Sequence, residues 1–151
     1  MSPQATVSAG VDARICESDT YHLATATESY STSILWTTSG TGTFSYNDTI
    51  DPVYTPSAED IAFGAVTLTV TVTSASPCYS VTDDMILDIS HQATVYAGID
   101  TTICGSGVYT LNFASQMYAE TIQWTSNGTG TFSDPNTIHP TYTPSANDLD
   151  D

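Results

Sequence analysis

Val66-Thr67-Leu68-Thr69-Val70-Thr71-Val72-Thr73 decides the fold. Apolar and hydroxyl residues alternate without a break, and a period of two puts successive side chains on opposite faces of an extended chain. The stretch therefore predicts a strand. Val66, Leu68, Val70 and Val72 turn inward, and threonine turns outward, where a β-branched side chain suits the pleat. Working outward, Met85-Ile86-Leu87-Asp88-Ile89 repeats the pattern with Met85, Leu87 and Ile89 inside. Ala5-Thr6-Val7-Ser8-Ala9, Tyr21-His22-Leu23 and Ile34-Leu35-Trp36 mark three more strands. Turn residues lie between them, at Ala9-Gly10, Ser39-Gly40-Thr41-Gly42, Asn47-Asp48 and Ser74-Ala75-Ser76-Pro77. About seven strands result, over 4–10, 20–26, 33–38, 41–46, 50–55, 65–74 and 81–89, as an all-β antiparallel Ig-like sandwich requires. Pro56 to Ile61 reads as one helical turn, with Ser57 and Asp60 at capping spacing.

The pattern is then written a second time. Gln4-Ala5-Thr6-Val7 returns as Gln92-Ala93-Thr94-Val95, Tyr54-Thr55-Pro56-Ser57-Ala58 returns as Tyr142 to Ala146, and Cys16 returns as Cys104, an offset of 88 residues without a gap. A period this long is a whole domain and not a solenoid rung. The expected organisation is one complete Ig-like repeat over 1–90 and a second over 91–151 that stops before its last two strands. Ile34 and Trp36 recur as Ile122 and Trp124 while Leu35 becomes Gln123, so Trp36 and Trp124 are assigned to the core. Lacking the counterparts of Val66–Thr73 and Met85–Ile89, the second repeat is expected to expose apolar faces and strand edges. Either a partner chain completes it, through self-association, or it stays poorly ordered.

Charge narrows the function. Seventeen acidic residues face a single basic one, Arg14, for a formal net charge of -16, yet only 12 % of residues are charged. Nucleic acid and anionic membranes find no lysine or arginine to meet their phosphates. Solubility rests on threonine and serine, which total 45 residues. No apolar run approaches the roughly 20 residues of a membrane-spanning helix. Met1-Ser2-Pro3 carries neither a basic nor an apolar leader segment, so an exported parent would have its targeting sequence elsewhere.

The three cysteines follow the repeat. Cys16 and Cys104 are the same position in successive copies, and Cys78 falls late in the first. The economical pairing is a Cys16–Cys78 disulfide inside each repeat, worth roughly 4 kcal/mol in the chain-entropy model, with Cys104 left unpaired. Three free thiols are the alternative. No cysteine has a second Cys or His at zinc-ligand spacing.

Several strings in register resemble the tandem repeats of giant surface proteins of gliding Bacteroidota. They are Ala9-Gly10-Val11-Asp12-Ala13-Arg14-Ile15-Cys16-Glu17, Leu35-Trp36-Thr37-Thr38-Ser39-Gly40-Thr41-Gly42-Thr43-Phe44, and Tyr54-Thr55-Pro56-Ser57-Ala58-Glu59-Asp60-Ile61. More broadly, the third-strand tryptophan is similar to that of immunoglobulin-like and PKD-like sandwiches. The resemblance implies export by the type IX route, an extracellular, cell-surface location, and a stalk or adhesin role in a long filament serving attachment or gliding motility. It carries no catalytic residues, and the chain is read as a non-enzyme. Neighbouring repeats of the same parent are the implied partners.

Other candidate sites are weaker. Asp83, Asp84 and Asp100 form the acidic group where calcium would be sought, since hard cations want six to eight oxygens; a solvated acidic surface is the plainer reading, and no other cofactor is expected. Tyr30, Tyr46, Tyr54 and Tyr79 are the rings a carbohydrate-binding sandwich, the alternative function, would offer to surface glycans. Gly40-Thr41-Gly42 is a β-turn and not a phosphate loop, because no lysine follows. His22, His91 and His139 have no histidine counterpart in the other copy and read as incidental. Asn47-Asp48-Thr49 and Asn127-Gly128-Thr129 match the glycosylation acceptor pattern.

Overall fold

The computed structural model describes residues 2–149 and divides the chain into two compact units, Met1–Gln92 and Ala93–Asp151. The chain is all-β. In the first unit nine strands form: β1 (Thr6–Ser8), β2 (Ala13–Cys16), β3 (Tyr21–His22), β4 (Thr27–Ser29), β5 (Ser31–Thr38), β6 (Thr43–Phe44), β7 (Val53–Thr55), β8 (Ala65–Ser74) and β9 (Val81–Ser90). One short helix, α1 (Ala58–Phe63), lies between β7 and β8.

Strands β2, β9, β8 and β5 form one sheet in that order, while β3, β7 and β6 form a second and β1 pairs with β4. The long hairpin of β8 and β9 is the backbone of the first sheet, with Val70 opposite Asp83 and Leu68 opposite Met85. Period-two alternation sets its inner face: Val66, Leu68, Val70, Val72, Met85, Leu87 and Ile89 are all at most 4 % exposed. Trp36 stands opposite Val70 on β5 and, with Tyr54 and Leu23, joins that face in one core. The core needs its polar atoms answered, and Trp36 Nε1 donates to Thr49 O at 3.0 Å.

One strand pair departs from the expected antiparallel plan. The chain crosses over after β1, so β2 runs parallel to β9, from Ala13 opposite Leu87 to Cys16 opposite Ser90. Asp12 Oδ1 accepts from Ile86 N at 2.8 Å and Asp83 Oδ2 accepts from Ala9 N at 2.8 Å, filling ladder positions where the crossover leaves strand pairing.

The second unit holds β10 (Thr94–Tyr96), β11 (Tyr109–Thr110), β12 (Ser115–Met117), β13 (Thr131–Phe132) and β14 (Thr141–Thr143), followed by a 3-10 turn at Ala146–Leu149. Strand β10 pairs with β12, and β14 lies between β11 and β13. Each has a counterpart in the sequence of the first unit one period earlier. Among the described residues, the counterparts of β2 and β5, near Thr101–Cys104 and Ala119–Ser126, form no strand. Both lean on β8 or β9 in the first unit, and a strand without a ladder is not held extended. Trp124 keeps its bond from Nε1 to Thr137 O at 2.9 Å, yet is only half-buried, which corrects its assignment as a core residue.

Candidate functional site

The tightest polar constellation in the first unit is built around Asp60. Ser57 ends the extended run after β7 and caps α1, and Asp60, in the third helical position, returns the bond. The same carboxylate reaches across to the turn between β5 and β6. It accepts from Thr41 N at 2.9 Å, Gly42 N at 2.9 Å, Ser57 N at 3.1 Å and the Tyr54 hydroxyl at 2.7 Å, while only 2 % exposed. Burial by itself would raise the Asp60 pKa; the hydrogen bonds from Tyr54, Thr41, Ser57 and Gly42 outweigh it and hold the carboxyl below its usual range. Burial pushes the Tyr54 hydroxyl up to about 12, with the neighbouring carboxylate adding to it. Gly40 and Gly42 are required by this approach: a Cβ on Gly40 would strike the Asp60 carboxylate and Val66, and one on Gly42 would strike Asp60 and the Tyr54 hydroxyl. The arrangement fastens a loop.

The second unit rebuilds the latch one period on. Asp148 accepts from Thr129 N at 2.8 Å, the Tyr142 hydroxyl at 2.8 Å and Ser145 N at 3.0 Å. The Ser145 amide first, then the Thr129 amide and Tyr142 hydroxyl, draw its pKa down to about 2. In the sequence Asp60 reads only as a cap. The signal was present, because Asp60 and Asp12 are kept in the second copy while Glu59 becomes Asn147 and Glu28 becomes Gln116.

The structure does not bring the other expected groups together. Cys16, Cys78 and Cys104 are free thiols. The Cys16–Cys78 bridge is excluded by geometry: Cys16 lies opposite Ser90 at the end of β9, whereas Cys78 lies before its start. Ten residues of strand separate the two by roughly 30 Å, against the roughly 7 Å Cα separation a disulfide tolerates. Asp83 is committed to Ala9 N, Asp84 is the next residue on β9 and so faces the opposite way, and Asp100 belongs to the second unit. Among the described residues no three His, Cys, Asp or Glu side chains gather to hold a metal. Tyr54 is fully buried, while Tyr30, Tyr46 and Tyr79 are exposed. His91 is not incidental. Its Nδ1 lies 2.9 Å from Glu17 Oε2, and that bond, with the Gln92 amide, lowers the Glu17 pKa.

An apolar groove of about 490 Å³ opens in the second unit, lined by Val95, Ile122, Trp124 and Ile138. The equivalent Val7, Ile34, Trp36 and Ile50 in the first unit belong to, or pack on, the closed core. No helix among the described residues is long and apolar enough to cross a membrane.

No family model matches the chain, and no curated protein matches it. Similar solved structures include protocadherin gamma B2 extracellular cadherin domains 3–6, at TM-score 0.44 and 10 % identity over 95 % of this chain and 39 % of that one. Protocadherin gamma B7 extracellular cadherin domains 1–4 give 0.44 and 12 % over 94 % and 41 %. The protocadherin gamma B7 EC3-6 cis-dimer structure gives 0.41 and 12 % over 95 % and 40 %. The chain spans about two fifths of the length of each.

Proposed function

We propose that each complete repeat is a structural and adhesive bead of an extracellular surface filament, built to carry load between its ends. One observation carries this reading: the early strand β2 is hydrogen-bonded in parallel to the last strand β9. Tension enters from the N-terminal side of β2 and leaves from the C-terminal end of β9. Parallel strands pulled in this sense slide past one another, so every bond from Ala13–Leu87 to Cys16–Ser90 must fail together. An antiparallel pair opened from one end would unzip a bond at a time. An acidic, lysine-free surface suits a chain that must stay soluble outside the cell, and the resemblance to gliding-type surface repeats agrees with this setting without defining a ligand.

Single-molecule pulling of the full chain between its termini tests the reading. The first unit should unfold in one event, and Ala13→Pro, which removes a backbone N–H turned toward β9 in the ladder that Glu17 N continues to Ser90 O, should lower its unfolding force at least twofold. An unchanged force would remove the load-bearing role. A defined sugar captured on a glycan array, and lost with Tyr79→Ala, would favour the carbohydrate-binding alternative.

A further inference from the structure

We propose that Tyr30, Glu28 and Tyr79 form a docking surface on the first unit for an arginine-bearing segment of another protein. This rests on the adhesive reading above and names the class of partner it would hold. Tyr30 joins β4 to β5 at φ 61, in the left-handed region, and is 66 % exposed. Its counterpart Tyr118 has φ 59 and is 55 % exposed. Among the described residues these are the two non-glycine positions with positive φ. That conformation strains a bulky side chain and is open to glycine without cost. A ring held toward water under strain, in both copies, has its use outside the fold. The corner is built the same way twice: Ser31 N donates to Glu28 Oε2 at 3.4 Å, and Ala119 N donates to Gln116 Oε1 at 3.1 Å.

The surroundings of Tyr30 select the partner. Ser31 lies opposite Ser74, the last residue of β8, and Ser74 Oγ donates to Tyr79 O at 2.7 Å. Tyr79, also exposed, therefore stands across the end of β8 from Tyr30, about two strand spacings or roughly 10 Å away. Two exposed rings share one end of the first unit, with a carboxylate beside the first of them. A tyrosine face and a carboxylate attract the same group, a cation. Arginine meets both at once, because its plane stacks on a ring while its fork of N–H donors pairs with a carboxylate. The single basic residue of this chain, Arg14, is engaged with Asp88 at 3.4 Å, toward the opposite end of β9 from Tyr79. A second copy has only that arginine to offer, so the partner is a different chain. The net charge of -16 draws a basic segment in and repels an acidic one. In the second unit Gln116 replaces Glu28, so Tyr118 keeps the ring without the charge.

The test titrates the full chain, its tyrosine rings isotopically labelled, with a synthetic peptide of alternating arginine and glycine. Tyr30 ring signals should shift saturably at about 0.15 M ionic strength, where unspecific surface attraction is largely screened. Tyr118 should respond at least twofold more weakly, and Glu28→Gln should weaken the Tyr30 response to match. Tyr30→Gly leaves the net charge unchanged and relieves the backbone, so it should cut peptide affinity at least threefold without lowering the urea midpoint. Tyr30→Phe should keep the affinity within twofold. A urea midpoint that falls in Tyr30→Gly would make the ring a structural prop, and unchanged affinity would reduce the attraction to bulk charge. Either result overturns the proposal. So would a neutral hexose oligomer that moves the Tyr30 signals where the peptide does not. Pulling separates the two ideas: an unfolding force that meets expectation, with no peptide bound at Tyr30, would keep the load-bearing bead and reject only this partner.

Discussion

Asp60 shows how one side chain fixes two loops. Its four donors come from the β5–β6 turn, the Ser57 cap of α1 and Tyr54 on β7, so the carboxylate ties the turn and the helix start to the β6–β7 ladder. Asp60→Asn places an amide where amide hydrogens already point inward, and should cost about 2–3 kcal/mol by urea unfolding. Acid should act on the same bonds. The folded carboxyls of Asp60 and Asp148 titrate below the unfolded value near 3.9, and Asp148 at about 2. Their stabilisation is therefore complete above about pH 5 and is lost as the pH falls through 4 toward 2. Carboxyl NMR titration of both residues, beside unfolding curves across that window, checks the sign; stability that is flat or rising toward pH 2 would refute it. Capping spacing in the sequence revealed the Ser57–Asp60 pair. Its reach to Thr41 and Gly42 was hidden, because nothing local marks a contact 18 or 19 residues away.

At the scale of elements, the two copies make a controlled comparison. Ile34 and Trp36 keep their identity as Ile122 and Trp124, yet only the first pair lies in a strand. The difference is the partner: β5 is bonded to β8 along its length, and the second unit has no counterpart of β8 among the described residues. Alternation in the sequence thus told which face would be buried, and only pairing decided whether a strand would form. Strand β2 carries no local signature for a related reason. Ala13-Arg14-Ile15-Cys16 is too short to show a period, and its partner begins 74 residues later. Amide hydrogen exchange should find Ile34 to Thr38 protected by at least a hundredfold over the corresponding Ile122 to Ser126. Equal strong protection would mean that something else covers the second face. A peptide spanning Ala65–Ser90 should slow exchange there by occupying the groove beside Trp124.

For the whole molecule, composition and alternation make the all-β class legible, while the cysteine positions mislead. Counting positions suggested a bridge inside the bead, but sequence carries no measure of which end of a strand a residue reaches. The bead account requires the first unit to fold from its own residues, since a filament of interdependent parts would not transmit load domain by domain. The most direct test is denaturant unfolding of a chain ending at Gln92, followed by the fluorescence of Trp36, the single tryptophan it retains. The account predicts one cooperative transition with the midpoint of the first unit in the full chain. A broad, non-cooperative change, or a midpoint lowered by half or more, would contradict it.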